Sequence, residues 1–136
     1  MLDESRALAE EVLASGHLDY LDLSLWDVFK EPHESEYAGD QLIDLFMGIP
    51  RGQTRVGVAG KIFDGAAARE CLSRGADFVL IGTAGILHHD FARRVLADPG
   101  FQAVAQPVPV EHLVAESVGP RFLDYLSTNW DDMVAS

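Results

Sequence analysis

Runs of strand length alternate with helical patterns along this chain, and that alternation limits its fold more than any other feature. Residues 3–15 carry Leu8, Val12 and Leu13 at helical spacing, with Asp3 or Ser5 placed to cap the start and Ser15-Gly16 to stop it. "HLDYLDLSL" (17–25) alternates apolar and polar residues as a half-buried strand does. "WDVFKEPHESEYAGD" is broken by Pro32 and Gly39 and reads as a loop; residues 40–47 read as a short helix stopped by Gly48 and Pro50. "TRVGVAG" is β-rich and ends in glycine. Residues 64–75 form a helical pattern with Asp64 as N-cap and Gly75 as C-cap. "ADFVLIG" is an almost unbroken apolar run, as expected of a parallel strand covered on both faces. Helical patterns follow at 89–97, 110–117 and 120–128.

This alternation of helical and strand runs, closed by further helices, predicts an α/β fold whose parallel strands are joined by right-handed crossovers. No linker or low-complexity tract interrupts it, so residues 1–136 are expected to form a single domain. Three strands make a narrow sheet with two unpaired edges.

Composition excludes several functions. The 136 residues are 48% hydrophobic, enough for one modest core. Ten Lys and Arg stand against 22 Asp and Glu, a net charge of −12, which disfavours nucleic acid and anionic membranes as partners. Cys71 is the one cysteine, so no internal disulfide can form, and its apolar helical setting predicts a buried, inert thiol. No apolar run approaches the roughly 20 residues that span a bilayer. The acidic, amphipathic start "MLDESRALAEE" is unlike a signal peptide, so a cytoplasmic setting is expected.

The two central strand runs share an ending. "RVGVAGKI" closes on Gly60-Lys61 and "GADFVLIGTAGI" on Gly82-Thr83. Glycine lets an anion approach the main chain, and amides after parallel strands point the same way. Lys61 adds a charge and Thr83 a hydroxyl. Adjacent βα loops of this kind suit a phosphate, as after strands 7 and 8 of a (β/α)8 barrel, although such a barrel takes about 250 residues. Spacing alone leaves simple turn glycines as an equal reading.

Other residues carry weaker signals. His88-His89 are adjacent, cannot share a helix face and read as a surface loop pair rather than joint metal ligands. Ser24 has neither a GxSxG setting nor a placed base, which argues against a hydrolase. Trp26 and Phe29 suit either the lining of a flavin or substrate pocket or the plugging of a barrel mouth, and packing is the favoured reading. Asp3, Glu4, Glu10 and Glu11 read as a solvated face, and the "WDD" near the C-terminus as a frayed tail.

"DYLDLSLWD", "GVAGKI", "GADFVLIGTAGILHHDF" and "GPRFLDYL", in that order, resemble the C-terminal part of the old yellow enzyme family, the NADH:flavin oxidoreductases. The similarity runs from the first helix to about Trp130. It implies part of a TIM (β/α)8 barrel: roughly its last three βα units with parallel strands, followed by C-terminal helices. FMN would be the cofactor and NAD(P)H the reductant. The resemblance assigns the FMN phosphate to backbone amides at Ala59, Gly60 and Lys61 after the seventh strand and at Gly82 and Thr83 after the eighth. Where the family usually has Gly-Arg, this chain has Gly82-Thr83, which keeps an amide and a hydroxyl but not the charged fork. The family's flavin-ring contacts, substrate-binding pair and proton-donating tyrosine lie in the N-terminal half of the barrel, so no catalytic residue is implied here. The alternative expectation is a catalytically incompetent half-barrel that acts as a structural subunit, forming a homo-oligomer or joining a complementing chain.

Overall fold

The computed structural model describes residues 1–135. Its strands are β1 (Tyr20–Ser24), β2 (Arg55–Ala59) and β3 (Phe78–Leu80). They form one open, all-parallel sheet in the order β1-β2-β3, so the α/β class with parallel strands holds. The helices are α1 (Leu2–Ala14), α2 (Leu42–Met47), α3 (Gly65–Ser73), α4 (Thr83–Leu87), α5 (Phe91–Ala97), α6 (Val110–Ala115) and α7 (Pro120–Asn129). The described residues divide into two compact units: Met1–Ile62 with Ala66–Ile81, and Phe63–Gly65 with the chain from Gly82 onward.

The first unit is built on the sheet. Register sets Leu21 beside Val56, Leu23 beside Val58, and Val58 beside Val79, so the alternation in "YLDLS" turns its leucines to the core. That core also takes Ala9 and Leu13 from α1, Ile43 and Phe46 from α2, and Ala68 and Cys71 from α3. On the opposite face Tyr20, Asp22 and Ser24 are exposed, and the Phe78 ring lies across Gly57. A methyl on Gly57 would sit 2.0 Å from that ring, so this strand glycine makes room for the aromatic. Asp77 fixes the entry to β3: its carboxylate accepts the Val56 N–H at 2.8 Å, and its own N–H donates to the Val56 carbonyl at 2.8 Å.

Several local expectations change here. Neither Asp3 nor Ser5 caps α1; Met1 stands at the N-cap with no side-chain bond, and the Ser5 hydroxyl bonds back to the Met1 carbonyl. Asp3 instead accepts from the Tyr37 hydroxyl in a 3-10 turn at Ser35–Tyr37, inside the stretch read as loop. Leu8 is 62% exposed, because the buried face of α1 runs through Ala9 and Leu13. Strand β1 begins at Tyr20 rather than His17, and β3 holds only three residues, half-buried rather than covered on both faces.

The second unit is helical around Leu87, Val108, Leu113, Leu126 and Met133. Pro120 opens α7, where its fixed φ suits the first turn and its missing N–H costs nothing. The helix expected at 89–97 starts at Phe91, and a separate short helix, α4, precedes it. The "WDD" stretch does not fray. Met133 is fully buried just beyond it, and Val134 pairs with Val108 through N–H···O bonds from Val108 to Met133 (3.0 Å) and from Ala135 to Val108 (2.8 Å). Among the described residues no helix is long and apolar enough to cross a membrane.

Candidate functional site

Ala59, Gly60 and Lys61 lie at the C-terminal end of β2 in the first unit. The chain leaving β1 turns across this end: Leu25 donates to the Ala59 carbonyl at 2.8 Å and Val28 to the Gly60 carbonyl at 3.2 Å. Gly60 has φ +145°, and a methyl there would meet the Trp26 carbonyl carbon at 2.7 Å and the Asp27 nitrogen at 2.8 Å. The missing side chain is therefore required by the β1 loop, which fills the space that a Cβ would take. Lys61 follows in the left-handed region at φ +51°, and its ammonium stands 3.4 Å from Asp27. The charge is half-exposed and already paired.

Trp26 also has positive φ, +63°, and is 82% exposed, so it plugs nothing. Phe29 does pack: it lies against the first core, with the Arg74 guanidinium 5.3 Å over its ring. Ser24 is exposed at the end of β1.

Gly82 and Thr83 begin the second unit. A methyl on Gly82 would meet nothing within 4 Å, so this glycine does leave the main chain open. Thr83 is the first residue of α4, whose five residues are too few for a strong helix dipole. Among the described residues, the amides of Gly60, Lys61, Gly82 and Thr83 donate to no other backbone carbonyl. The five expected positions thus form two groups, three residues on the first unit and two on the second.

The sequence reading missed the densest polar cluster. His88 is buried, not on the surface: it ends α4 at 6% exposure with its ring edge-on to those of Phe101 and His112. Glu116, just past α6, gathers the cluster. One carboxylate oxygen accepts from His89 Nδ1 at 2.7 Å and the His89 amide at 3.0 Å; the other lies 3.4 Å from Arg94 and 3.7 Å from His88 Nδ1. Burial alone would raise the Glu116 carboxyl, but the two His89 bonds and the Arg94 charge outweigh it and hold it below its usual range. Asp90 is lowered too, first by the Arg94 hydrogen bond at 2.6 Å. The spacing of His112 and Glu116, four apart on one helix face, was the available signal; nothing local ties them to His88.

Two trios, His88–His112–Glu116 and His89–Asp90–Glu116, bring ligand-type atoms within 4.8 Å of one another. Neither suits a cation. His88 Nε2 accepts the Val104 N–H at 2.9 Å, which leaves its proton on Nδ1, the atom a metal would need bare. In the second trio Arg94 already bonds Asp90 and sits beside Glu116, supplying the positive charge.

Cys71 is fully buried, and burial pushes its thiol up to about 11, as expected of an inert core cysteine. No protein-family model and no curated protein matches the chain.

Proposed function

We propose that this chain is the C-terminal portion of an FMN-binding NAD(P)H:flavin oxidoreductase of the old yellow enzyme type, folded as the last three βα units of a (β/α)8 barrel with its closing helices. The observation that carries this reading is the pairing of consecutive parallel strands with unengaged amides: β2 runs into Gly60 and Lys61, and β3 is followed by Gly82 and Thr83. Free N–H groups beyond strand ends are what a phosphate dianion requires.

In this reading the amides of Ala59, Gly60 and Lys61 are the phosphate donors that the first unit offers, and the amides of Gly82 and Thr83 with the Thr83 hydroxyl are those that the second offers. Gly82 admits the anion closely because nothing occupies its side-chain space. Lys61 contributes charge only by leaving Asp27, 3.4 Å away, so the backbone does most of the binding. The bound flavin would supply hydride transfer from the nicotinamide to an acceptor. The chain contributes anchoring of the cofactor and no catalytic group.

A specific observation favours a second reading, a structural half-barrel completed by another copy or a complementing chain. Among the described residues both sheet edges are unpaired, and Tyr20, Asp22 and Ser24 expose a face that parallel sheets normally cover.

Titration of the purified chain with FMN and with riboflavin, followed by absorbance and fluorescence and paired with light scattering, tests both. The expected result is one FMN per chain, with riboflavin much weaker because it lacks the phosphate, and loss of FMN binding in Thr83→Glu. A chain that stays colourless in excess FMN, or binds both flavins equally, overturns the phosphate site. An oligomer without flavin would leave the structural subunit.

A further inference from the structure

The second unit buries an imidazole whose two nitrogens are held to different tasks. His88 Nε2 accepts the Val104 N–H at 2.9 Å, so in the neutral ring the proton is on Nδ1. Among the described residues that Nδ1–H is buried without a hydrogen-bond partner; a Glu116 oxygen lies 3.7 Å away. The charged and titratable groups around the ring are Arg94 from α5 and Asp90 just before it, His112 and Glu116 from the α6 side, and His89 beside it. His112 donates its own Nε2–H to the Leu87 carbonyl at 2.8 Å, so gaining a second proton leaves that bond intact. His88 has no such freedom: a protonated ring presents N–H at both nitrogens, and at Nε2 that proton meets the proton of the Val104 amide.

We propose that His88 is a proton-operated latch on the connection between α5 and α6, closed while Nε2 accepts from Val104 and released when the ring takes a second proton. The segment it holds also forms one wall of an open cleft of about 610 Å³, lined by Val104, Ala105, Gln106, Asp131 and Asp132 among others. Upstream, Ala103 is tied separately to the Phe63 carbonyl at 2.8 Å. Downstream, the Gln106 side-chain amide donates to Met133 Sδ at 3.4 Å, so release frees Val104 and Ala105 rather than the whole connection.

The electrostatics set the direction. Burial first, then the Arg94 charge and His112, disfavour the protonated ring against the opposing pull of Glu116 and Asp90, and its titration falls below the ordinary value. A group lowered in the folded state stabilises it above the open-state value of about 6.5. The contribution is lost as pH drops through the folded value.

Amide hydrogen exchange of the whole chain from pH 8 to pH 5, corrected for intrinsic rates, reads the latch at Val104. Protection there should fall by about tenfold per pH unit below 6.5 until the folded ring titrates, while Val58 in β2 does not follow. His88→Gln, whose side-chain oxygen accepts without titrating, should keep protection at Val104 and abolish its pH dependence. Long-range proton–nitrogen spectra of the unmodified chain should show His88 as the Nδ1–H tautomer at pH 7.5, a readout that needs no variant. An Nε2–H tautomer, pH-independent protection at Val104, or a pH dependence that survives His88→Gln would overturn the proposal.

Discussion

At Gly60 an alanine methyl would lie 2.7 Å from the Trp26 carbonyl carbon, on a backbone already at φ +145°. Both effects act against any side chain, so Gly60→Ala should cost about 1–3 kcal/mol in urea unfolding. Gly48→Ala is the matched control, since that glycine is at φ −72° and ψ −9° with only ordinary contact to its own helix; it should change stability by less than about 0.5 kcal/mol. Equal losses at the two positions would show that the β1 loop does not press on the end of β2. The same contact explains why a glycine there does not by itself announce an anion site: sequence marks a need for space, and only coordinates tell what fills it.

Among the elements, α1 and the C-terminal segment show how tertiary contacts override local pattern. Helical spacing in α1 was clear, but its buried stripe passes through Ala9 and Leu13 and leaves Leu8 outside. Ala9 and Leu13 are the α1 residues buried in the first core. The segment after α7 has no periodicity, yet Met133 is fully buried and Val134 bridges Val108. Met133→Ala should therefore destabilise the second unit by about 2–5 kcal/mol in thermal or urea unfolding, as for a core residue. A frayed tail would give almost no change. The break between α4 and α5 was likewise illegible; at it the His88 ring packs on Phe101 and His112, both remote in sequence from α4.

For the molecule as a whole, charge and core pull in opposite directions. A net charge of −12 spreads repulsion over the surface, whereas burial is shared between two hydrophobic clusters, one around the sheet and one among α4, α6 and α7. Screening should relieve the repulsion, so the melting temperature should rise between about 10 mM and 150 mM sodium chloride, where the Debye length shrinks from roughly 30 Å to 8 Å. A flat or falling curve would mean that local ion pairs such as Arg74 with Asp44 and Glu70, at 2.8 and 2.7 Å, outweigh the net field.

The sequence by itself determined the three strands and the helices that alternate with them, the parallel α/β class and the burial of Cys71. These follow from periodicities of 2 and 3.6, from stop residues and from burial preference, all expressed within a dozen residues. The tertiary structure decided what neighbours in space decide. It assigned Gly60 to the β1 loop and paired Lys61 with Asp27. It buried His88 under an amide 16 residues away and drew Glu116 to His89 from 27 residues off. Such contacts join residues by folding, and no local pattern encodes which partner will arrive.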